Sequence, residues 1–371
     1  MSTAPRILEV IYSHQVGGSE MVGLELGQQL ARNGARVMCA SLSGGDGPLR
    51  ERCLQMGMEP VDLDISTTNL LGRNGFSLAL VRRLRALELT AIHLHHLLAL
   101  NKLGLPARMA GIPHIVVTEH SIATLRGNRL ARLRARLNWR LAHHLTGVHA
   151  GIRDYLIEQV GVHPDRISVI PNGIDLQRWQ RGDRSARRSD LGLGDEFVFM
   201  FVGRLAEVKN VPNLLRAFLA MQAGNAPRCR LIVVGDGPEA DNCRAVLAGH
   251  PLADRVVLAG ESADTRTMLA AADAFVMNSH SEGSPRAMIE AMALGLPCIC
   301  PAVGGVPALL QGRGWLTTPE SIEDLARAMQ EVATEPEKSR AAGEAGRQFV
   351  VAGFDARVSL LQFARLLGAG S

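Results

Sequence analysis

Short apolar runs alternate with amphipathic stretches along the whole chain, and this alternation limits the fold more than any other feature of the sequence. Runs such as "RILEVIYS" (6–13) and "FVFMFV" (197–202) suit strands, whereas the stretches between such runs have helical spacing. Strand and helix in turn predict parallel sheets covered by helices. Because 371 residues exceed the usual range of one growing core, we expect two doubly wound α/β units.

The predicted strands fall into two groups with a polar segment between them. The first group comprises 6–13, 36–41, 91–94, 114–118, 144–148 and 167–170; the second comprises 197–202, 230–235, 256–260, 274–277 and 297–301. Residues 173–196 are arginine-rich and interrupted by glycine, which is typical of a linker. We predict an N-terminal domain (1–172), a linker (173–196), a C-terminal domain (197–348) and a C-terminal helix (349–371) that packs back toward the N-terminal domain.

Composition limits the location and the kind of site. No run of eighteen apolar residues occurs and the first residues lack the layout of a signal peptide, so we expect a cytoplasmic protein that is either free or peripheral on the inner face of the plasma membrane. Six cysteines without Cys-x-x-Cys spacing indicate reduced thiols. Residues 1–172 are net positive and 173–371 net negative, so acidic partners are expected on the N-terminal half.

Two stretches of the N-terminal half follow predicted strands, where open parallel sheets bind ligands. Gly17 and Gly18 precede a helix for which Ser19 is a plausible N-cap, an arrangement that suits either a diphosphate or an ordinary turn. His120, in "TEHS", suits either substrate contact or a structural cap. His93 and His95, in "HLHH", have no carboxylate or cysteine near them in sequence, so we predict no metal site there.

Two cations follow the first predicted strand of the C-terminal half, in "FVGRLAEVKN". Arg204 and Lys209 could clamp a diphosphate or could be solvated surface charges. The chain has three lysines only, Lys102, Lys209 and Lys338, so a lysine in this loop is less readily attributed to composition.

The stretch "SEGSPRAMIEAMALGLP" (281–297) combines a loop, a helix and two glutamates. A helix that begins near Arg286 would favour phosphate or developing negative charge at its N-terminus. Glu282 in the loop and Glu290 in the helix could then accept from hydroxyls of one bound ligand. Gly304 and Gly305 add a second turn for close approach of phosphate oxygens.

These stretches in this order, "GGSE", "TEHS", "PNGID", "GRLAEVK" and "EGSPRAMIEAMALGLP…VGGVP", resemble the retaining nucleotide-sugar glycosyltransferases of glycosyltransferase family 4 over nearly the whole chain. The resemblance implies the GT-B fold, in which two Rossmann-like doubly wound parallel-sheet domains face each other across a cleft. It implies a UDP-sugar donor in preference to GDP, retention at the anomeric carbon, a glycan or lipid-diphosphate-linked acceptor, no cofactor and no metal.

The resemblance also implies roles for individual residues. His120, Glu282, Arg204 and Lys209 would be catalytic, with His120 on the donor sugar or its phosphate and the two cations on the leaving diphosphate. The donor-binding set would be Gly17, Gly18, Arg204, Lys209, Gly283, Ser284, Pro285, Arg286 and Glu290. Two positions depart from the family pattern, Ala308 where an acidic residue is frequent and Asn278 where proline is frequent, so the choice of donor stays open.

The segment 126–140 contains six arginines and no acid. Leucines at helical spacing beside Arg129, Arg132, Arg136 and Arg140 predict a basic amphipathic helix that either docks on an anionic membrane or lipid-diphosphate acceptor, or packs its leucines into the core. Nucleic acid is not expected as a partner, because aromatic residues do not interleave with the basic ones. Alternative functions are a sugar-nucleotide epimerase and a non-catalytic sugar-nucleotide-binding subunit. A dinucleotide oxidoreductase is disfavoured because no G-x-G-x-x-G follows the first strand.

Overall fold

The structure is a computed structural model that describes residues 4–15, 17–44, 46–65, 77–180, 182, 188–189, 191–224, 227–262 and 264–370. The chain forms two compact units. The first comprises residues 1–173 together with 356–371, and the second comprises residues 174–355.

The first unit is built on a seven-stranded parallel sheet with the order β3-β2-β1-β4-β5-β6-β7. Its strands are β1 (Arg6–Ile11), β2 (Arg36–Ser41), β3 (Glu59–Pro60), β4 (Ala91–His95), β5 (His114–Glu119), β6 (His144–Gly147) and β7 (Ile167–Val169). Its helices are α1 (Gly18–Arg32), α2 (Pro48–Gln55), α3 (Leu78–Ala86), α4 (Leu97–Ala110), α5 (Ala123–Gly127), α6 (Arg129–Asn138), α7 (Ala150–Tyr155) and, at the C-terminus, α15 (Ala356–Leu366). The strand order reverses between β1 and β4, so the carboxyl ends of these strands form a switch point where side chains converge.

The second unit is built on a six-stranded parallel sheet with the order β10-β9-β8-β11-β12-β13. Its strands are β8 (Phe197–Val202), β9 (Cys229–Val234), β10 (Val256–Gly260), β11 (Ala274–Val276), β12 (Cys298–Pro301) and β13 (Trp315–Thr317). Its helices are α8 (Val211–Ala223), α9 (Ala240–Leu247), α10 (Thr265–Ala271), α11 (Arg286–Ala293), α12 (Val306–Leu310), α13 (Ile322–Thr334) and α14 (Pro336–Gly353). The order reverses between β8 and β11, which puts the loops after these two strands side by side.

All eleven predicted strands are present, because strands covered by helices on both faces must be apolar along their whole length. The prediction missed β3 and β13. Both lie at a sheet edge and are two and three residues long, too short for a periodic signal.

The segment predicted as a linker, 173–196, belongs almost entirely to the second unit, which begins at residue 174. Ile174 and Trp179 are buried in that unit's core. Arg188 pairs with Asp273 (3.0 Å) and donates to the carbonyl of Glu196. Two large apolar side chains and one largely buried ion pair therefore attach this stretch to the second unit, whereas its composition had indicated a linker.

The C-terminal helix predicted over 349–371 is two helices. The helix α14 ends at Gly353, and α15 starts at Ala356 and belongs to the first unit. The break occurs where the carbonyl of Phe354 accepts from the amide of Ile174 (2.9 Å), so the backbone there pairs with another segment and leaves the helix. Gly173 allows the return, because a Cβ on it would lie 2.5 Å from Cα of Ala356. Among the described residues, none of the helices combines the length and apolarity required to cross a bilayer.

Candidate functional site

In the second unit, the loops that follow β8 and β11 bring Lys209 and Glu282 together. Nζ of Lys209 lies 2.6 Å from Oε1 of Glu282, and both side chains are largely buried. The amide of His280 donates to the carbonyl of Val208 (2.8 Å), which fixes the two loops to each other. Arg204 is exposed and its side chain makes no ion pair within the described part of the chain. Lys209 is thus held by protein, whereas Arg204 can reorient.

The loop around Arg204 is supported by a glycine pair that the sequence analysis missed. Gly235 and Gly237, in "VVGDGPE" after β9, have φ of +140° and +152°. A Cβ on Gly235 would lie 1.9 Å from the carbonyl oxygen of Gly203, and one on Gly237 would lie 2.5 Å from that of Leu205. Backbone packs directly on backbone here. A G-x-G directly after a predicted strand was the available signal.

The turn at Gly304 and Gly305 supports Glu282. The amide of Gly305 donates to the carbonyl of Glu282 (3.1 Å), and a Cβ on Gly304 would lie 1.7 Å from that carbonyl oxygen. The amide of Gly305 therefore already has a protein partner, and the prediction that this turn receives phosphate oxygens stays a prediction. Both glycines fix the backbone that carries the first glutamate.

The helix α11 begins at Arg286, as predicted, with Pro285 as its N-cap. Nε of Arg286 lies 2.7 Å from Oε1 of Glu290, one turn further on, and both side chains are largely buried. The planar guanidinium fixes the carboxylate one turn inside the helix. The predicted position of Glu290 is confirmed, and its pairing with Arg286 is an addition.

Three polar groups near this helix have no hydrogen-bond partner among the described residues, although they are buried. They are Nδ2 of Asn278, Oγ of Ser279 and Oγ of Ser284. Buried polar groups are usually paired, because an unpaired one costs about 1–3 kcal/mol. Two hydroxyls and an amide beside Gly283 would be satisfied by a ligand rich in hydroxyl or phosphate groups.

In the first unit, Gly17 is the N-cap of α1, and the predicted N-cap Ser19 lies inside the helix. Oγ of Ser19 donates to Oε2 of Glu20 (2.9 Å). A Cβ on Gly17 would lie 2.2 Å from that same carboxylate oxygen, whereas the space beside Gly18 is open. Glu20 folds back toward the start of the helix because its carboxylate favours the positive end of the dipole. Any diphosphate that approaches Gly17 and Gly18 therefore meets a carboxylate.

His120 is buried at the carboxyl end of β5 and belongs to a network of polar side chains. Its Nε2 lies 2.9 Å from Nδ1 of His95, and the two rings stack. The amide of His120 donates to Glu119 (3.0 Å), whose carboxylate also accepts from Nδ1 of His96 (2.9 Å) and from the amides of Leu97 and Ser121. Burial would raise the pKa of Glu119, but the hydrogen bond from His96 and the backbone amides lower that pKa below its ordinary value.

The network continues to Glu9, which the sequence analysis missed as a partner of the histidines. Oε2 of Glu9 lies 2.8 Å from Nδ1 of His93 and 3.1 Å from Nε2 of His95, and all three side chains are fully buried. Burial would raise the pKa of Glu9, but the charge and hydrogen bond of His93 and the hydrogen bond of His95 lower that pKa to about 2. A carboxylate therefore lies next to the histidines in the fold, although none was found near them in sequence. These three residues offer ligand atoms within 4.8 Å of one another, and those atoms already bond to each other.

The four predicted docking arginines lie on or beside α6. Its leucines Leu130, Leu133 and Leu137 are 54%, 52% and 68% exposed, so they do not pack into the core. Arg132 and Arg136 donate to backbone carbonyls of their own unit, and Arg140 lies over the ring of Trp139. Arg129 is exposed. The surface of α6 is thus apolar and basic.

Two family models match the chain over adjacent ranges. The model "Glycosyltransferase Family 4" matches residues 16–178, and the model "Glycosyl transferases group 1" matches residues 183–349. Together the two ranges include nearly all of the polar side chains described above.

Several curated proteins are similar to parts of the chain. D-inositol 3-phosphate glycosyltransferase of Segniliparus rotundus is 34% identical over 210 residues, which are 54% of this chain and 46% of that relative. UDP-Gal:alpha-D-GlcNAc-diphosphoundecaprenol alpha-1,3-galactosyltransferase of Escherichia coli is 31% identical over 241 residues, or 61% of this chain and 62% of the relative. The chain thus spans about half to three fifths of the length of these relatives.

Two solved structures share the fold. HepE of Anabaena, solved in complex with UDP and glucose, has a TM-score of 0.82 at 22% identity, over 98% of this chain and 100% of that chain. Sucrose-phosphate synthase of Thermosynechococcus elongatus has a TM-score of 0.78 at 20% identity, over 98% of each chain. Together with the two parallel sheets, these similarities confirm the predicted fold class of two Rossmann-like domains.

Proposed function

Because the chain belongs to the glycosyltransferases of the GT-B fold, we propose that it moves a hexosyl group from a nucleotide-diphosphate sugar to a glycan or lipid-linked acceptor, with retention of the anomeric configuration. UDP is the favoured nucleotide, since the name of the Escherichia coli relative contains UDP-Gal and HepE was solved with UDP. The Escherichia coli relative, whose name gives a diphosphoundecaprenol-linked sugar, also favours a role in cell-surface polysaccharide biosynthesis.

The observation that carries this proposal is the paired arrangement of Lys209 with Glu282 and Arg286 with Glu290 at the carboxyl ends of β8 and β11. Cleavage of a bond between an anomeric carbon and a diphosphate creates negative charge on the leaving oxygen. Lys209, held in a largely buried position, and Arg204, free to reorient, supply positive charge where that charge develops. These cations make a metal unnecessary for charge neutralisation, so we propose a metal-independent reaction.

The two glutamates contact different parts of the donor. Glu290 accepts from ribose hydroxyls through its carboxylate, which Arg286 holds one turn inside α11. Glu282 lies beside the donor sugar, with Gly283 and the unpaired hydroxyl of Ser284 next to it. Glu282 is not assigned as a covalent nucleophile, because its carboxylate is committed to Lys209. The departing phosphate takes the acceptor proton as the acceptor attacks from the same face.

Calorimetric titration of UDP, GDP and ADP, with and without EDTA, tests the donor site. We expect one nucleotide to bind equally well with and without EDTA and to bind more weakly to Glu290→Ala. Glu337→Ala is the matched control, because Glu337 lies on an exposed helix face of the same unit. Equal binding to both variants would contradict the assigned site. Binding without transfer to any acceptor would favour the non-catalytic subunit, and conversion of the donor without an acceptor would favour the epimerase.

We also propose that α6 docks on an anionic membrane surface. Three exposed leucines lie on a helix that has arginines and no acidic residue, which matches a surface of acyl chains below anionic headgroups. We expect the double variant Arg129→Glu with Leu133→Ser to co-float less with phosphatidylglycerol vesicles than the wild type does. The wild type should not co-float with phosphatidylcholine vesicles. Leu361→Ser is the control, because Leu361 is similarly exposed on α15. Unchanged flotation of the α6 variant would contradict docking.

A further inference from the structure

The polar network in the first unit lies at the switch point of its sheet. Glu9 comes from β1, His93 and His95 come from β4, and Thr118 and His120 come from β5 and the residue after it. These three strands are neighbours in the sheet, so side chains more than eighty residues apart in sequence contact each other. All five side chains are buried. Most of their polar atoms are paired within the network, and the exceptions among these five described side chains are Oε1 of Glu9 and Nδ1 of His120.

The carboxylate of Glu9 determines where its two histidine partners hold their protons. Both imidazoles approach the same oxygen, Oε2, and an ionised carboxylate can only accept hydrogen bonds. His93 therefore donates through Nδ1, and His95 donates through Nε2. A neutral imidazole with one N–H has a lone pair on its other nitrogen. Nδ1 of the neutral His95 is consequently an acceptor.

His93 and His95 each have a further partner. Oγ1 of Thr118 lies 2.7 Å from Nε2 of His93 and 2.7 Å from Oγ1 of Thr146. Nδ1 of His95 lies 2.9 Å from Nε2 of His120. The proton between these two rings must come from His120, because His95 has its N–H on Glu9. His120 is thus the Nε2–H tautomer, and its Nδ1 has the lone pair.

That last nitrogen is the end of the chain of hydrogen bonds. Nδ1 of His120 is buried and has no hydrogen-bond partner among the described residues. Burial and the neighbouring imidazoles lower the pKa of His120 well below its ordinary value, and burial with the charge of His93 lowers the pKa of His95 to about 4. Both rings are therefore neutral near pH 7.

We infer that Glu9 and His95 are positioning residues that fix His120 as the Nε2–H tautomer, so that Nδ1 of His120 accepts a hydrogen bond from a hydroxyl of the bound sugar. A nitrogen with a lone pair and no proton cannot donate to a phosphate oxygen. Of the two roles predicted for His120, contact with the sugar is selected over contact with its phosphate. The identity of the ligand rests on the proposed function, but the tautomer does not.

The packing of α1 keeps this relay rigid. A Cβ on Gly23 would lie 2.7 Å from Nε2 of His95, so the helix lies directly against the ring that joins Glu9 to His120. The chain thus provides both the hydrogen bonds and the steric constraint that hold one ring orientation.

Nitrogen NMR on protein with ¹⁵N-labelled histidine tests the relay without any ligand. Long-range proton–nitrogen spectra distinguish protonated from unprotonated ring nitrogens, and His120→Gln identifies one of the 12 histidines by loss of its signals. We expect a protonated Nε2 and an unprotonated Nδ1 for His120 at pH 7.5. A protonated Nδ1 would overturn the inference. One equivalent of tightly bound zinc, lost in Glu9→Met, would overturn it as well, since the metal would take the lone pairs that the relay requires.

Three variants separate positioning from general packing. Glu9→Met removes the acceptor and should release His120 into a mixture of tautomers, with kcat/KM about tenfold lower. Glu9→Gln keeps an acceptor oxygen and should keep the wild-type tautomer and most of the activity. Thr118→Val is the matched control, because it removes a donor from the His93 branch only and should leave the tautomer of His120 unchanged. If all three variants fold, lose activity equally and keep the wild-type tautomer of His120, the network has only a structural role.

Addition of ligand separates this inference from the proposed function. In the wild type, UDP-glucose, UDP-galactose or UDP-N-acetylglucosamine should shift the signal of Nδ1 of His120, whereas UDP alone should not. If the expected tautomer is present but neither UDP nor a UDP-sugar binds, the relay stands and the proposed donor is wrong. If a UDP-sugar binds and turns over while Nδ1 of His120 is protonated, the relay is wrong and the proposed function stands.

Discussion

The two units hold polar side chains at the carboxyl edges of their sheets in different ways. In the first unit, Glu9 and the histidines are fully buried and joined by hydrogen bonds that extend across three strands. In the second unit, the side chains of Lys209 and Arg286 keep 28% and 17% of their surface exposed, and they pair with Glu282 in a loop and Glu290 in a helix. A buried network contributes to folding and fixes orientation, whereas paired charges near solvent remain available to a ligand. Substitutions should therefore cost more stability in the first unit than in the second, and more activity in the second unit than in the first.

The largest expected effect tests the second unit. Lys209→Ala should lower kcat/KM about 100- to 1000-fold, since it removes a cation from the developing charge on the leaving group. Thermal stability should change less than kcat/KM does, although Glu282 loses its partner. Steady-state transfer assays and thermal melts measure both quantities, with Lys338→Ala as a control on an exposed helix. If Lys209→Ala were as active as Lys338→Ala, Lys209 would not stabilise the charge on the leaving group.

The same substitution in each unit sharpens the comparison directly. Glu119→Ala should lower the free energy of unfolding by about 3 kcal/mol, because it leaves His96 and three backbone amides without their acceptor. Glu282→Ala should lower it by less than about 1 kcal/mol while it abolishes most activity. Denaturant unfolding followed by circular dichroism measures the difference. Equal losses of stability would remove the distinction between the units.

The pH dependence of stability follows from the lowered pKa values in the first unit. Unfolding returns the pKa of His95 from about 4 to 6.5 and the pKa of Glu9 from about 2 to 4.5. The unfolded chain therefore binds more protons than the folded chain between pH 6.5 and 2. The contribution of these two groups to stability is therefore complete above pH 6.5 and falls as the pH is lowered. Thermal melts from pH 7.5 to 4 should show this decline in wild type and in His163→Gln, whose histidine is exposed. A Tm that stays constant down to pH 4 would contradict it.

The smallest expected effect tests an unpaired hydroxyl. Ser284→Ala removes no protein hydrogen bond, so its Tm should match that of the wild type. Affinity for the UDP-sugar should fall about fivefold, the value of one hydrogen bond. Ser321→Ala should behave in the opposite way, because it removes the N-cap of α13 and costs about 1 kcal/mol without any change in affinity. Identical behaviour of the two variants would mean that Ser284 does not contact the donor.

The sequence was sufficient to predict the strands, because helix-covered strands are apolar along their length and local spacing identifies them. It was also sufficient for the position of Glu290 in α11, since Pro285 and the residues around it determine where that helix begins. Edge strands, by contrast, are too short for a periodic signal. The predicted linker was too long, because the local sequence does not show that Trp179 packs into the core of the second unit.

The pairings within each site were beyond local spacing. Lys209 and Glu282 are 73 residues apart and meet only because β8 and β11 are neighbours in the sheet. Glu9 and His93, 84 residues apart, meet for the same reason. A glutamate within the apolar run "RILEVI" was a usable signal, because a charge inside a buried strand requires a partner. The identity of that partner follows from strand order, which the pattern of apolar residues does not specify.

The return of α15 to the first unit has a consequence for synthesis on the ribosome. The second unit is one continuous stretch, 174–355, and can complete its fold as soon as that stretch has emerged. The first unit begins to emerge earlier but buries Leu360, Phe363 and Leu367 against residues of β1 and α1. Its core therefore stays open while the whole second unit is translated. The half of the protein that is made first is therefore the half whose core is completed last.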